Sequence, residues 1–427
     1  MNEALYVVGF DLNDSISQIS YVELNENTPK TLAKDGEEQK LGIPTVLCKR
    51  NGVGQWYYGN EAVNIAGRGD GTIVTKLLGV ARAGGKYEIE GEAYDAADLL
   101  VLFVRRTLTE LSGLTSPEQV ASLVFTVDEL DKTTLKLLQK IVETIPVAEE
   151  RIHFQTYAES SYYYILHQPQ ELWERDVVIF DYSGKGLHGF QFWVNRRTTP
   201  NVGFVDEFEI ENVRMPDIML GDHPSPEQYA DFDEDILVKM HEHFNGKSIG
   251  TVYLLGNGFE EDWCVKTIRY LCMGRRVFQG RNLYSKGACF FARDKIVPSK
   301  LIEDYIFLGR DKLKFNLGMY MRYMGKEEYI AIADGGENWF DCDTTIDMLL
   351  DGTKEIRLLI TPLDGKDPAE LVIELEGLPE RPNKASRIRL TVTFLSETSL
   401  TATAIDLGFG EIFPSSGLKW EKSLKIG

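Results

Sequence analysis

The sequence predicts an α/β body of two lobes followed by an all-β sandwich, and three observations lead to this prediction. An apolar strand that ends on an aspartate, Tyr6–Asp11, turns tightly and returns as an alternating strand, and the same pattern recurs at residues 177–190. Between and after these two hairpins, apolar strands alternate with amphipathic helices, which is typical of α/β lobes. From about Gly309 onward, short strands separated by Asp-Gly turns indicate a β-sandwich.

The first lobe is predicted over residues 1–170. Residues 94–112 carry apolar side chains at three- and four-residue steps, which predicts a helix, and residues 120–127 form an apolar run that predicts a buried strand. The remaining predicted elements are strands at 43–47 and 56–62 and helices at 131–144 and 157–168.

The second lobe is predicted over residues 171–308 and the sandwich over residues 309–427. After the second hairpin, residues 195–226 are expected to be irregular, because the stretch is acidic and contains prolines. The predicted elements beyond it are helices at 233–244 and 260–273 and a buried strand at 251–255, and residues 284–292 are expected to close the lobe. The sandwich strands are predicted at 329–333, 355–361, 370–376, 387–394 and 400–406.

Composition narrows the functional classes. A net charge of −20 over 427 residues disfavours a nucleic-acid-binding protein or one bound to an anionic membrane, since both need a basic face. The first residues lack a basic, leader-like segment, and no stretch approaches the roughly 20 apolar residues of a membrane helix. The five cysteines are scattered and form no Cys-x-x-Cys pair, so we expect reduced thiols in a cytoplasmic protein.

The two hairpins suggest a clamp for a nucleotide. Each turn would offer backbone N–H groups to phosphate oxygens, and Asp11 and Asp181 would each face a metal ion. The alternative for both aspartates is a carboxylate that ends a strand and starts a turn. The Gly256-Asn257-Gly258 segment follows a buried strand, and a turn without any ligand needs such glycines equally often.

The order of these parts resembles the DnaK-type heat-shock chaperones of the actin-like ATPase superfamily. Residues 9–13 and 181–186 are similar to the two phosphate motifs of that family, and residues 254–258 are similar to its adenosine motif. Residues 157–161 and 282–288 resemble its two connecting helices, and residues 376–406 resemble its peptide-gripping β-sandwich. The resemblance covers nearly the whole chain and implies a two-lobed actin-like ATPase fold followed by a sandwich without a lid.

The resemblance also implies a set of site residues, with ATP or ADP and Mg²⁺ as cofactors. Asp11 and Asp181 would hold Mg²⁺ through water, Lys76 would meet the phosphate, and Glu159 would orient the attacking water. The nucleotide-binding residues implied by the motifs are Asn13, Asp14, Ser15, Ser183, Gly184, Lys185, Gly186, Gly256 and Gly258.

Departures from the family pattern bear on activity. The first phosphate turn is Gly-Thr-Thr in the family and Asn13-Asp14-Ser15 here, and an inward carboxylate of Asp14 would repel a phosphate. The segment between Phe192 and Thr251 is too short for the helical subdomain that packs on the adenine, so we expect weaker nucleotide affinity, or none. The alternative interpretation of Lys76 is an ordinary surface lysine. The alternative interpretation of Glu159 is a carboxylate that interacts with the dipole at a helix start.

Two functions therefore remain open. The first is an ATP-binding, chaperone-like protein with weak or uncertain ATP hydrolysis, and the second is a catalytically inactive scaffold of the same fold for protein–protein contact. In either case a peptide or protein partner is expected at the β-sandwich. A sugar or metabolite kinase of the same superfamily is disfavoured by the sandwich and by the lack of an inserted sugar-binding lobe.

Overall fold

A computed structural model describes residues 5–33, 41–183, 186–197, 200–211, 225–259, 263–323, 325–363 and 367–426. The chain divides into two compact units, unit 1 up to Tyr305 and unit 2 from Ile306, where the sequence predicted a boundary at 308/309. Of the helices in these ranges, none has both the length and the apolar composition that crossing a membrane requires.

The first half of unit 1 is a sheet with helices and an inserted set of short strands. Its main sheet has the order β11-β10-β1-β2-β3, in which β10 and β11 run parallel to β1 while β2 and β3 alternate in direction. The elements are β1 (Tyr6–Asp11), β2 (Ile16–Glu23), β3 (Lys30–Thr31), β4 (Ile43–Pro44), β5 (Leu47–Arg50), β6 (Trp56–Tyr58), α1 (Gly59–Gly67), β7 (Gly71–Val74), α2 (Leu77–Arg82), β8 (Lys86–Ile89), β9 (Glu92–Asp95), α3 (Ala96–Leu108), β10 (Val120–Val127), α4 (Lys132–Val142), β11 (Ile152–Thr156) and α5 (Tyr157–Leu166).

The second half of unit 1 repeats this arrangement. Its strands have the order β16-β15-β12-β13-β14, again with two strands parallel to the first one and an antiparallel hairpin on its other side. The elements are β12 (Asp176–Ser183), β13 (Gly186–Asn195), β14 (Asn201–Ile210), α6 (Pro226–Phe244), β15 (Ile249–Leu255), α7 (Val265–Leu271), β16 (Arg276–Gln279), α8 (Leu283–Ile296) and α9 (Lys300–Asp304). A short strand, β17 (Tyr305–Phe307), spans the division between the units.

The two halves meet through the helices that follow their outermost parallel strands. A Cβ added to Gly287 of α8 would lie 1.9 Å from the backbone oxygen of Ser160 of α5, so only glycine allows this helix crossing. The same helix α8 lies against β1, where a Cβ on Gly9 would be 2.2 Å from the backbone oxygen of Ser285. Strand β1, which is buried along five of its six residues, therefore sits at the centre of unit 1.

Several element boundaries differ from those predicted. The helix predicted from residue 94 begins at Ala96, because the side chain of Asp95 caps it by accepting hydrogen bonds from the N–H groups of Ala97 and Asp98. It ends at Leu108 and continues as a 3₁₀ turn over Thr109–Gly113.

The second half shows larger differences. Strand β14 occupies part of the stretch 195–226 that was expected to be irregular, which is wrong for Asn201–Ile210 because pairing with β13 orders a segment that carries many acidic residues. Helix α6 begins at Pro226, seven residues earlier than predicted, because Ser225 and Gln228 form a capping box with proline in the first turn. Helix α7 covers Val265–Leu271, and residues 260–262 of the predicted helix lie outside the described residues.

Unit 2 consists mainly of two four-stranded antiparallel sheets, ordered β19-β18-β21-β22 and β20-β23-β24-β25. Their inner faces meet at Phe315 and Phe394, whose ring centroids are 6.2 Å apart. Along β24, buried positions alternate with less buried ones, as a sandwich requires. The strands are β18 (Phe315–Tyr323), β19 (Lys326–Ala333), β20 (Thr344–Leu349), β21 (Glu355–Pro362), β22 (Ala369–Glu374), β23 (Arg387–Ser396), β24 (Ser399–Gly408) and β25 (Lys419–Lys425).

Candidate functional site

The two aspartates singled out in the sequence lie at corresponding places in the two halves. Asp11 is the last residue of β1 and pairs with Thr126 of the parallel strand β10. Asp181 is near the end of β12 and pairs with Leu255 at the end of the parallel strand β15. Both side chains follow buried strands and are themselves buried, with 4% and 9% of their surface exposed.

Two tyrosines join these aspartates. The hydroxyl of Tyr157 donates a hydrogen bond to Oδ1 of Asp11 over 2.7 Å, and the hydroxyl of Tyr284 donates to Oδ2 of Asp181 over 2.9 Å. The two rings stack on each other with a centroid distance of 4.0 Å and an angle of 2° between their planes. A continuous chain of contacts, Asp11–Tyr157–Tyr284–Asp181, thus links the strand ends of the two halves.

The tyrosines occupy matching positions on the two helices that meet between the halves. Tyr157 is the first residue of α5, after the cap residue Thr156, and Tyr284 is the second residue of α8. Each helix follows the outermost parallel strand of its sheet, so the fold itself brings the two helix starts to the carboxyl ends of β1 and β12. The stacked rings lie where the sequence predicted a cleft for nucleotide.

Burial dominates the electrostatics of this cluster. Burial raises the pKa of Asp11 to about 7, while hydrogen bonds from Tyr157 and Asn13 lower it and the charge of Asp181 raises it further. Burial, together with the aspartate charges, raises the pKa of both Tyr157 and Tyr284 well above its usual value. The hydroxyls are therefore neutral donors, and the neutral and ionised forms of Asp11 are both populated near pH 7.

The turn after β1 is held closed by its own side chain. Oδ1 of Asn13 accepts hydrogen bonds from the N–H groups of Ser15 and Ile16, both over 2.8 Å, and Nδ2 donates to the carbonyl oxygen of Ile16. This is an Asx turn, in which the asparagine takes the N–H groups that a phosphate would need. Ser15 is exposed at the tip of this turn.

Asp14 has a structural partner. Its carboxylate accepts hydrogen bonds from the N–H groups of Leu78 and Gly79, over 2.8 and 3.0 Å, and so caps the start of α2 from another part of the chain. A Cβ on Gly79 would lie 2.7 Å from Oδ2 of Asp14, which explains the glycine. Lys76, predicted to meet a phosphate, is an exposed residue with left-handed backbone (φ 57°) at the cap position of α2.

Glu159 lies inside the helix pair. Only 1% of its surface is exposed, and its charge contributes to the raised pKa values of Tyr162 and Tyr163, further along α5. Its backbone N–H donates to the capping hydroxyl of Thr156. The side chain that contacts Asp11 belongs to Tyr157, two residues before Glu159.

The predicted glycines of the second half serve close backbone contacts. Gly256 has φ 88°, and a Cβ there would lie 2.5 Å from the backbone oxygen of Tyr182 and 2.9 Å from Oδ1 of Asp181. Gly258 is buried in a short 3₁₀ turn, where its carbonyl oxygen accepts a hydrogen bond from the indole of Trp263. Gly186 opens β13 with φ 111° and pairs with Ser183, whereas Gly184 and Lys185 lie outside the described residues.

One carboxylate oxygen of each aspartate that the resemblance assigned to Mg²⁺ accepts a tyrosine hydroxyl. Mg²⁺ prefers ionised carboxylate or water oxygens in octahedral geometry, and burial raises the pKa of Asp11 to about 7. Binding of ATP or ADP and Mg²⁺ stays a prediction. Within the described ranges, no group of three or more His, Cys, Asp or Glu side chains is arranged to hold a metal ion. What the cluster does chemically is to join the two halves through two hydrogen bonds and one ring stack.

The sequence interpretation missed the two tyrosines, although it quoted the segments that contain them. The signal that could have found them is an aromatic residue with a hydroxyl group at the start of each of the two corresponding helices. The resemblance directed attention to Glu159 instead, as the group that would orient the attacking water.

Comparison with known proteins places the chain in a family. Residues 28–310, more than half of the chain, match a family of unknown function described as DUF5716 C-terminal. Residues 312–426, which lie within unit 2, match a domain of unknown function described as DUF8552. No curated protein matches the chain. The chain therefore belongs to the DUF5716 family, represented here by its C-terminal region, followed by a DUF8552 domain.

Proposed function

We propose that the protein is a non-catalytic scaffold with a two-lobed body of the actin-like type, whose lobes are joined by side chains and not by a bound nucleotide. The observation that carries this proposal is the contact chain from Asp11 through the stacked Tyr157 and Tyr284 to Asp181. Stacked aromatic rings and hydrogen bonds between buried groups stabilise a fixed arrangement, and this is what a scaffold needs.

The first turn gives independent support. The N–H groups of Ser15 and Ile16 are taken by Asn13, and Asp14 caps α2. A phosphate at this turn would have to displace the Asn13 hydrogen bonds and approach the carboxylate of Asp14. At about 4 Å, two like charges cost about 1 kcal/mol in water and several times that in a drier site.

The partner of this scaffold would be a peptide or a protein, and the β-sandwich of unit 2 is the part proposed to contact it. A sandwich offers edge strands with free backbone groups for pairing. The edge strand β19 has four exposed residues in a row at its start, Lys326 to Tyr329.

ATP binding is the second candidate, and one observation favours it. The charge of Asp181 contributes to the raised pKa of Asp11, so the two carboxylates of the predicted clamp are close enough to interact. For a nucleotide to enter between them, the rings of Tyr157 and Tyr284 would have to separate and leave their aspartates. No step of hydrolysis is assigned to these residues.

Titration calorimetry with Mg·ATP and Mg·ADP separates the two candidates. The scaffold proposal expects that nucleotide concentrations up to the millimolar range give no magnesium-dependent binding that differs between the natural chain and Asp181→Asn. Saturable, magnesium-dependent binding that Asp181→Asn weakens would overturn the scaffold proposal and support the ATP-binding one.

A further inference from the structure

A surface depression of ≈ 490 Å³ lies on unit 1 at the opposite end of the second sheet from Asp181. It is formed where three segments enter strands: Arg175 before β12, residues 246–248 before β15 with Ile249 at the start of that strand, and residues 273–275 between α7 and β16. Its volume is in the range of sites that bind small molecules. Gly246 and Gly274, with φ 74° and 73°, form the turns of two of these segments.

The lining of this depression is cationic, in contrast to the chain as a whole. Arg175, Lys247 and Arg275 are among its eight lining residues, and none of the eight is acidic. The complete chain carries 66 acidic and 46 basic residues, so a basic side chain usually has carboxylates to pair with. Within the described part of the chain, none of these three has a carboxylate oxygen within 4.0 Å.

Each cation is held in place by neutral groups. Nη2 of Arg175 donates to the carbonyl oxygen of Gly274 over 3.3 Å, and Nζ of Lys247 lies 3.2 Å from Nε2 of His243. Nη1 of Arg275 donates to two carbonyl oxygens at the end of α7, and its guanidinium lies 4.7 Å from the ring centroid of Phe244. Such contacts orient the side chains but leave their positive charges without a counter-charge in contact.

The titratable groups around Lys247 also leave its positive charge without a counter-charge in contact. Burial, followed by the charge of Lys247, lowers the pKa of His243 to about 4, so this imidazole is a neutral acceptor at pH 7. Burial lowers the pKa of Lys247, although the more distant Asp176 and Asp206 raise it. Those two carboxylates are already engaged, because Gln191 donates to Asp176 and Trp193 donates to Asp206.

We propose that this depression is a binding site for the phosphate group of a small organic phosphate monoester. Arginine presents a planar fork of donors that matches phosphate oxygens, and lysine adds a point charge. A phosphate ion alone would fill only part of ≈ 490 Å³, and the exposed Met273 provides apolar surface beside the cations for an organic body. Met273 has 64% of its surface exposed, so its side chain is accessible to such an organic body.

Calorimetric titrations with phenyl phosphate and with inorganic phosphate, at constant ionic strength, test the proposal on the full chain. We expect saturable binding of phenyl phosphate with a Kd of about 0.1–1 mM, and weaker binding of inorganic phosphate, which lacks a ring to contact Met273. Lys247→Gln should weaken the binding of phenyl phosphate by about tenfold, as expected for a lost charge-assisted hydrogen bond.

Lys239→Gln is the matched control, because it also removes one lysine charge, but at a position outside the depression. Lys239 lies on α6 and pairs with Glu242. The affinity of this variant should equal that of the natural chain. Arg175→Gln provides a second variant, with its fold checked by thermal unfolding. Absence of saturable binding, or equal weakening by Lys247→Gln and Lys239→Gln, would overturn the site, and equal affinity for the two probes would overturn its organic ligand.

Discussion

The two halves of unit 1 share one strand order, yet they differ in what surrounds it. In the first half, strand β3, which pairs with the second strand of the hairpin, has only two residues, Lys30–Thr31. A set of short strands and helices is inserted before α3. In the second half, the corresponding strand β14 has ten residues. The comparison teaches that the common strand order places Asp11 and Asp181 alike, while the surrounding elements decide what each turn contacts.

The chemistry of the two strand ends differs in the same way. The turn after Asp11 is tied to the inserted segment, because Asp14 caps α2. Strand β12 instead continues for two residues beyond Asp181, to Ser183, and its close contact is with Gly256 at the end of β15. Both aspartates nevertheless accept a hydrogen bond from a tyrosine at a helix start, so the contact between the halves is nearly symmetrical.

The largest expected effect concerns the helix crossing that both halves depend on. Gly287→Ala would place a Cβ 1.9 Å from the backbone oxygen of Ser160, and α8 lies so close to Gly9 of β1 that a shift of this helix would disturb the strand. We expect a loss of at least about 3 kcal/mol in the free energy of unfolding, measured by chemical denaturation. Gly67→Ala, in the last position of α1 with no atom within 4 Å of the added Cβ, is the control and should change stability little. Equal stability of the two variants would contradict the crossing described.

The next effect distinguishes the buried aspartate of the first half by its pH dependence. Because the pKa of Asp11 is about 7 in the folded chain and near 3.8 when unfolded, the folded state retains a proton that the unfolded state has lost between these values. Stability should therefore fall by about 1.4 kcal/mol per pH unit as the pH rises through this window, and level off above pH 7.

Asp11→Asn removes this dependence while its side-chain oxygen still accepts the Tyr157 hydrogen bond. Its advantage over the natural chain should thus grow from pH 4 to pH 7 in thermal or urea unfolding. Asp98→Asn, at a side chain that is 68% exposed, is the matched control and should not reproduce this trend. A pH-independent difference between Asp11→Asn and the natural chain would show that Asp11 is ionised throughout.

A smaller effect compares the two tyrosines directly. Tyr157→Phe and Tyr284→Phe each keep the ring stack and remove one hydroxyl, at a cost of about 1–3 kcal/mol in unfolding free energy. The loss should be larger for Tyr284, which is buried, than for Tyr157, which is half-buried. Tyr87→Phe removes an exposed hydroxyl that donates to Thr75 and should cost less than either. The reverse order of Tyr157 and Tyr284 would mean that the first half holds the contact more tightly.

The smallest effect concerns the turn after β1. Asp14→Ala removes the cap of α2 and should cost about 1 kcal/mol. Hydrogen exchange at the amides of Leu78 and Gly79 should become faster, while the Ile16 amide, bonded to Asn13, stays protected. Ser15→Ala, at the exposed tip of the same turn, should leave both unchanged. Faster exchange at Ile16 in Asp14→Ala would show that the Asx turn depends on the cap.

The sequence was informative where local chemistry decides structure. Two strand-Asp-turn-strand patterns indicated two hairpins, and both are present, as β1–β2 and β12–β13. Strand β10 has the predicted range, and the sandwich strand predicted at 400–406 is β24 (Ser399–Gly408). Boundaries set by caps, such as Asp95 before α3 and Ser225 before α6, were missed although their residues are readable.

From the sequence alone followed the two hairpins, the buried strand β10 and the position of each aspartate at the end of an apolar strand, because these depend on side-chain period and turn chemistry within a few residues. Only the tertiary structure decided what those aspartates contact. Asp11 and Tyr157 are 146 residues apart in the chain, and Asp181 and Tyr284 are 103 apart. No local pattern encodes such pairs, since they arise when two sheets of the same strand order are joined through the close crossing of α5 and α8.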